Sequence, residues 1–222
     1  AADLKGGVVY TRPGDAYCDP AGSRSDAFMA FDIKTGKLLW TRQVTAGDAF
    51  NVACGLPEAL RVNCPEGKGP DHDFGSSPIL VDLPNGRRAL IAGQKSGVVH
   101  AVDPDRGGEI LWQTRVGKGS ALGDVQWGSA FDGQRVYVAL SDVIPETAGT
   151  AAGPSVTIGQ APPPNNTGGG LYALDPASGQ IVWTTPHPGC GSQSGCSPAQ
   201  SAAVTAIPGI VFSGGIDGHL RA

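Results

Sequence analysis

Apolar residues in this chain fall into short β-like runs bounded by Gly, Pro, Asp or Asn, and no stretch carries a sustained helical period. Three of these runs end in Ala-x-Asp, pass through a Gly-containing turn, and lead into a run that ends in Trp. They are Ala30 to Trp40, Ala101 to Trp112 and Ala173 to Trp183, and a fourth copy begins at Gly218. Asp can accept hydrogen bonds from the turn backbone and Gly can take a positive φ, so each copy predicts a β-hairpin with its turn chemistry in place. Two further strand-like runs precede each hairpin: 78–82 with 89–93, 128–131 with 136–139, and 202–205 with 210–213. Four short antiparallel strands per period, with tryptophans 72 and 71 residues apart, predict all-β propeller blades. The Trp side chains are expected in equivalent buried positions between neighbouring blades.

Counted this way, the chain opens on the second strand of a blade (7–12), holds two complete blades, and stops inside the third strand of another. That is about three and a half blades of a probable eight-bladed propeller, read as one repeat domain over 1–222 and as a fragment of a longer chain, because an open arc leaves unpaired edges.

Composition narrows the partners. Charged residues are 16%, against a usual ~25%, so the acidic pairs noted below stand out. The net charge of −4 and the lack of a basic cluster argue against nucleic acid or an anionic membrane, and no apolar run is long enough for a membrane span. Cys54 with Cys64 and Cys190 with Cys196 lack zinc or haem spacing and predict two disulfides in an oxidising compartment, with Cys18 left over.

If the strands of a blade are labelled a to d, the a–b and c–d connections are short and the b–c and d–a connections carry all the length: 13–26, 45–76, 117–126, 141–169 and 185–200. Both long sets emerge on one face, which predicts a binding face there. The Pro/Gly/Ala-rich stretch 144–169 reads as an extended b–c excursion and contains an Asn165-Asn166-Thr167 glycosylation triplet. One long d–a loop ends in Asp71-His72-Asp73-Phe74-Gly75. On residue types alone this is a metal site, a base, or a hydrogen-bonded loop anchor.

The repeated Ala-x-Asp-x-x-Thr-Gly-x-x-x-Trp pattern resembles the tryptophan-docking motif of the quinoprotein alcohol dehydrogenase family. The Asp-His-Asp-Phe-Gly-Ser-Ser-Pro-Ile-Leu segment (71–80) and the segment 208–222 look closest to its polyvinyl-alcohol dehydrogenase branch. The resemblance implies a propeller that holds pyrroloquinoline quinone and Ca²⁺, oxidises secondary or polymeric alcohols in the periplasm or outside the cell, and passes electrons to cytochrome c. By position it implies that Asp73 is the general base and a metal ligand and that Lys95 bonds the quinone oxygens. It also implies that Asp15 stands where the family has a metal-ligating Asn. Gln126 and Trp127 align with a channel-facing segment, with core packing the alternative for Trp127. Gly75 stands where the family's lanthanide enzymes carry a second Asp, which implies Ca²⁺. The family's second metal carboxylate, cofactor-stacking Trp and adjacent-cysteine ring are expected upstream. A non-catalytic propeller that binds protein or carbohydrate, or one that has lost its cofactor, is the competing reading.

Overall fold

The computed structural model describes residues 1–121, 123–142, 168–193 and 196–222. Four antiparallel sheets follow one another along the chain: β1 (Ala2–Asp3), β2 (Val8–Thr11), β3 (Ala27–Asp32) and β4 (Leu38–Gln43); β5 (Ile79–Asp82), β6 (Arg88–Gly93), β7 (Val98–Asp103) and β8 (Glu109–Arg115); β9 (Ala130–Phe131), β10 (Val136–Leu140), β11 (Gly170–Leu174) and β12 (Ile181–Pro186); then β13 (Thr205–Ile207), β14 (Ile210–Gly214) and β15 (Leu220–Arg221). Each strand pairs with the next in sequence, the up-and-down meander of propeller blades. Among the described residues no helix is long and apolar enough to cross a membrane.

Two expectations need correction. The chain does not open on a second strand: Ala2 and Asp3 pair with Val9 and Val8, which makes the first sheet complete, so among the described residues there are three four-stranded sheets and one of three strands. A two-residue strand has no period to read, and only its pairing reveals it. The first strand of the last sheet also lies later than expected, at Thr205–Ile207 and not 202–205.

The repeat motif is explained residue by residue. In all three copies the Ala lies directly opposite the Trp (Ala30 and Trp40, Ala101 and Trp112, Ala173 and Trp183) and the register shifts at the following residue. Those alanines are fully buried, so a larger side chain has no room beside the indole. Trp40 Nε1 donates to Pro104 O in the next sheet (3.2 Å), and Trp112 Nε1 donates to Pro176 O in the one after (3.0 Å). The ring of each lies on that turn's glycine. A Cβ on Gly108 would sit 2.8 Å from Trp40, and one on Gly179 2.5 Å from Trp112, and both glycines also have positive φ. The first sheet is thereby pinned to the second, and the second to the third, each through one turn.

Trp183 departs from the expected burial and is 39% exposed. The core lies between sheets: Tyr10, Phe28 and Ala30 meet Leu90 and Val102, and Val99 and Trp112 meet Val136 and Leu174. The two disulfides are formed, Cys54–Cys64 and Cys190–Cys196, and Cys18 is an exposed free thiol. Nearly all of the stretch 144–169, with its Asn165-Asn166-Thr167 triplet, lies outside the described residues.

Candidate functional site

The connections 13–26, 45–76 and 117–126 meet beside the turn after β6, and acids tie the first two to each other and to that turn. Asp48, fully buried after β4, accepts the backbone N–H groups of Asp71 (3.0 Å) and His72 (2.7 Å). This holds Asp71 at φ 61°, a left-handed conformation that Asp tolerates better than most residues. Next along the chain, Phe74 is buried edge-on against Phe28 and lies under the Arg12 guanidinium at 4.5 Å. Asp73 is thereby fixed between two anchored neighbours. Its Oδ1 accepts Asp15 N–H (2.7 Å) from the loop after β2, and its Oδ2 accepts Lys95 Nζ (2.6 Å) from the turn after β6. Lys95 Nζ also donates to Asp71 Oδ1 (2.9 Å).

Two glycines make this convergence sterically possible. A Cβ on Gly14 would lie 2.0 Å from Asp73 Oδ1, and one on Gly75 would lie 2.7 Å from Gln126 O. A side chain at position 75, an Asp included, would require the Gln126 backbone of the next sheet's loop to shift.

Asp15, Asp73, Lys95, Gln126 and Trp127 all line one open cavity of about 530 Å³, together with Gly14, Tyr17, Phe74 and Gly75. Trp127 is 58% exposed at this cavity and is not core. Gln126 lends its carbonyl to the close packing over Gly75. The sequence singled out those five. It left Asp71 unassigned, although Asp71 stands two residues before Asp73 in the same loop and shares its Lys95 partner.

Carboxylate oxygens of Asp15, Asp71 and Asp73 lie within 4.8 Å of one another. Burial, together with the neighbouring Asp73, pushes the Asp15 carboxyl up to about 8. Burial likewise lifts Asp71 to about 7 despite Lys95. Burial acts upward on Asp73 too, but the bonds from Lys95 and Asp15 outweigh it and hold this carboxyl below its usual range. Asp15 Oδ2 is buried with no hydrogen-bond partner. Three converging carboxylates with one orphaned oxygen form an all-oxygen donor set suited to a hard divalent cation such as Ca²⁺.

Asp26 lies outside the cavity, fully buried, with neither carboxylate oxygen hydrogen-bonded and φ at 47°. Burial, with Asp48 and Asp73 nearby, pushes it up to about 7. A folded-state value above the unfolded ~4 makes the cost appear as pH rises from 4 and become complete above 7. Asp26→Asn, measured with a chelator present, should therefore raise stability at pH 8 by roughly 1–3 kcal/mol, a gain that shrinks toward zero at pH 4. A thermal-melt advantage that does not change with pH would contradict this.

Tryptophan-docked blades with an acidic, lysine-bridged cavity on the looped face define a class: the chain resembles the quinoprotein alcohol dehydrogenases, as its repeat indicated. Within that class the likeness runs to two proteins named polyvinylalcohol dehydrogenase. One, from Pseudomonas sp., is 43% identical over 99% of this chain, and the other, from Sphingopyxis sp. (strain 113P3), is 33% identical over 97% of it. The alignments cover 32% and 31% of those proteins, so the chain spans about a third of the length of the curated relatives it matches. The family model described as outer membrane protein assembly factor BamB matches residues 95–194. Among solved structures, a quinohemoprotein alcohol dehydrogenase from Pseudomonas putida HK5 superposes with a TM-score of 0.65. It is 17% identical, covers 99% of this chain and 38% of its own, and so bears on the fold alone.

Proposed function

We propose that these 222 residues form one side of the active site of a pyrroloquinoline quinone-dependent dehydrogenase that oxidises secondary or polymeric alcohols. The enzyme works in the periplasm or outside the cell, as two disulfides favour, and hands its electrons to cytochrome c. The observation that carries this reading is the convergence of Asp15, Asp71 and Asp73 with Lys95 in one cavity, with Asp15 Oδ2 buried and unpaired.

Asp15, Asp71 and Asp73 would hold Ca²⁺, and Lys95 with Gln126 and Trp127 would flank the quinone. When bound, the quinone supplies a two-electron acceptor for the substrate's hydride and the cation supplies fixed positive charge. Asp73 is ionised at neutral pH and its Oδ1 is already engaged by Asp15 N–H, so Oδ2 is the atom left to take the alcohol proton once Lys95 turns toward the cofactor. The Asp15 N–H and the Lys95 ammonium, both donating to Asp73, orient that carboxylate, and exposed Trp127 offers a flat apolar wall for a ring or an aliphatic substrate.

The full-length protein, supplied with Ca²⁺ and the quinone, should bind the cofactor in equilibrium dialysis and oxidise propan-2-ol with a dye acceptor. Lys95→Ala removes a charge-assisted donor and should weaken quinone binding by roughly 10- to 100-fold. Wild-type protein that binds no quinone with calcium present would shift the reading to a non-catalytic propeller. The family model described as an assembly factor favours that second reading, but its match at 95–194 reaches none of the three carboxylates.

A further inference from the structure

Arg12, the residue after β2, is a buried cation that stability alone does not explain. It is 8% exposed, and burial lowers its pKa only to about 9, so the guanidinium is charged at neutral pH. No carboxylate is among its partners. Nη1 donates to Gly93 O (3.3 Å), Nη2 donates to Ser76 Oγ (3.3 Å), and Nε is buried with no hydrogen bond. The guanidinium lies over the Phe74 ring at 4.5 Å and 6.0 Å from the Phe28 ring. A buried charge with two long hydrogen bonds and no counter-ion costs stability that an apolar side chain of similar length would not.

Those contacts fall beside the acidic cavity, although Arg12 does not line it. Asp15 stands three residues beyond Arg12 on the same segment. Asp73 immediately precedes Phe74 and stands three residues before Ser76, and Lys95 follows Gly93 by two. One guanidinium therefore joins the three segments that present Asp15, Asp73 and Lys95. The contacts among those residues, Asp15 N–H to Asp73 Oδ1 (2.7 Å) and Lys95 Nζ to Asp73 Oδ2 (2.6 Å), are made between the same segments. Ca²⁺ accepts oxygen ligands within a narrow range of distance, so the spacing of the segments governs what the carboxylates can hold.

We propose that Arg12 is a positioning residue of the acidic cavity: stacked on Phe74 and forked between Gly93 O and Ser76 Oγ, it sets the spacing of Asp15 against Asp73 and Lys95. The proposal rests on the dehydrogenase reading above and adds to it a residue that touches neither metal nor cofactor.

The test is calorimetric titration of Ca²⁺, without quinone, into full-length protein freed of metal with a chelator. Arg12→Met keeps an unbranched chain on Phe74 and loses the fork, and it should bind Ca²⁺ about tenfold more weakly, the loss of one to two hydrogen bonds. Removing a positive charge would by itself tighten cation binding, so the sign separates positioning from charge. Arg12→Lys keeps the charge but cannot span both acceptors, and it should be weakened as well. Ser76→Ala removes one arm and should cost roughly threefold; it decides the matter where neither Arg12 variant folds. The metal-free melting temperatures should not fall, because the unpaired charge is itself a cost. Unchanged or tighter Ca²⁺ binding in the folded variants, wild-type affinity in Arg12→Lys, or a lower melting temperature in both Arg12→Met and Ser76→Ala would overturn the proposal. A wild type that binds no Ca²⁺ removes the metal from the dehydrogenase reading, and crystal structures of Arg12→Met and Ser76→Ala then decide the positioning. Asp73 parted from Lys95 Nζ or from Asp15 N–H supports it, and both contacts kept in both variants overturn it.

Discussion

Asp73→Asn in the full-length protein is expected to abolish quinone-dependent alcohol oxidation while leaving most of the quinone bound. Asn keeps the shape of the side chain and can still accept Asp15 N–H at Oδ1, so the loop between β4 and β5 stays anchored through Asp48 and Phe74. It cannot take a proton at the second position, and losing a positioned base costs about 10²–10⁴ in rate. Lys95 loses one of its two carboxylate partners and keeps Asp71, so its donor to the cofactor survives. Steady-state kcat and quinone dialysis on the same preparations separate the two effects. Undiminished kcat in Asp73→Asn would remove this residue from the chemistry.

The second large effect is on stability. Gly179→Ala should cost roughly 3 kcal/mol or more, because the new Cβ would meet Trp112 at 2.5 Å and the backbone there has φ +72°. A non-Gly residue in the left-handed region costs about 1–2 kcal/mol, and the displaced indole loses burial and its bond to Pro176 O. Gly36→Ala supplies the control. Its φ is +68° but nothing lies within 4 Å of a Cβ there, so it should show only the backbone cost. Urea unfolding of the two variants should therefore differ by about 2 kcal/mol. Equal costs would mean that tryptophan docking contributes little to holding successive blades together.

These cases show how much of the molecule was legible beforehand. Ala opposite Trp and Asp capping the turn are local demands, and a local demand that recurs from sheet to sheet repeats in the sequence, as does the Gly that lies under the preceding sheet's indole at 108 and 179. The site residues were legible for a different reason: Asp15 and Lys95 follow second strands, Asp73 and Gln126 precede first strands, and a meander sends all four connections to one face. Asp71 escaped assignment because its role depends on Lys95 Nζ and on Asp48, 23 residues away, which accepts its N–H. Asp26 escaped because nothing in the residues around it predicts complete burial without a partner.

The sequence by itself determined the strand order, the hairpin turns, the disulfide pairs and the face on which polar loops gather, since each follows from residue type at short range along the chain. Only the tertiary structure decided which of the repeated tryptophans is covered, that Ala2 and Asp3 form a strand, that Gly14 and Gly75 are empty of side chain so that Asp73 and Gln126 can approach, and that Arg12 reaches across Phe74 to Ser76 and Gly93. Those are questions of distance between segments tens of residues apart. They are settled by how neighbouring sheets pack, where a few tenths of an ångström around a glycine decide whether two blades can share a site.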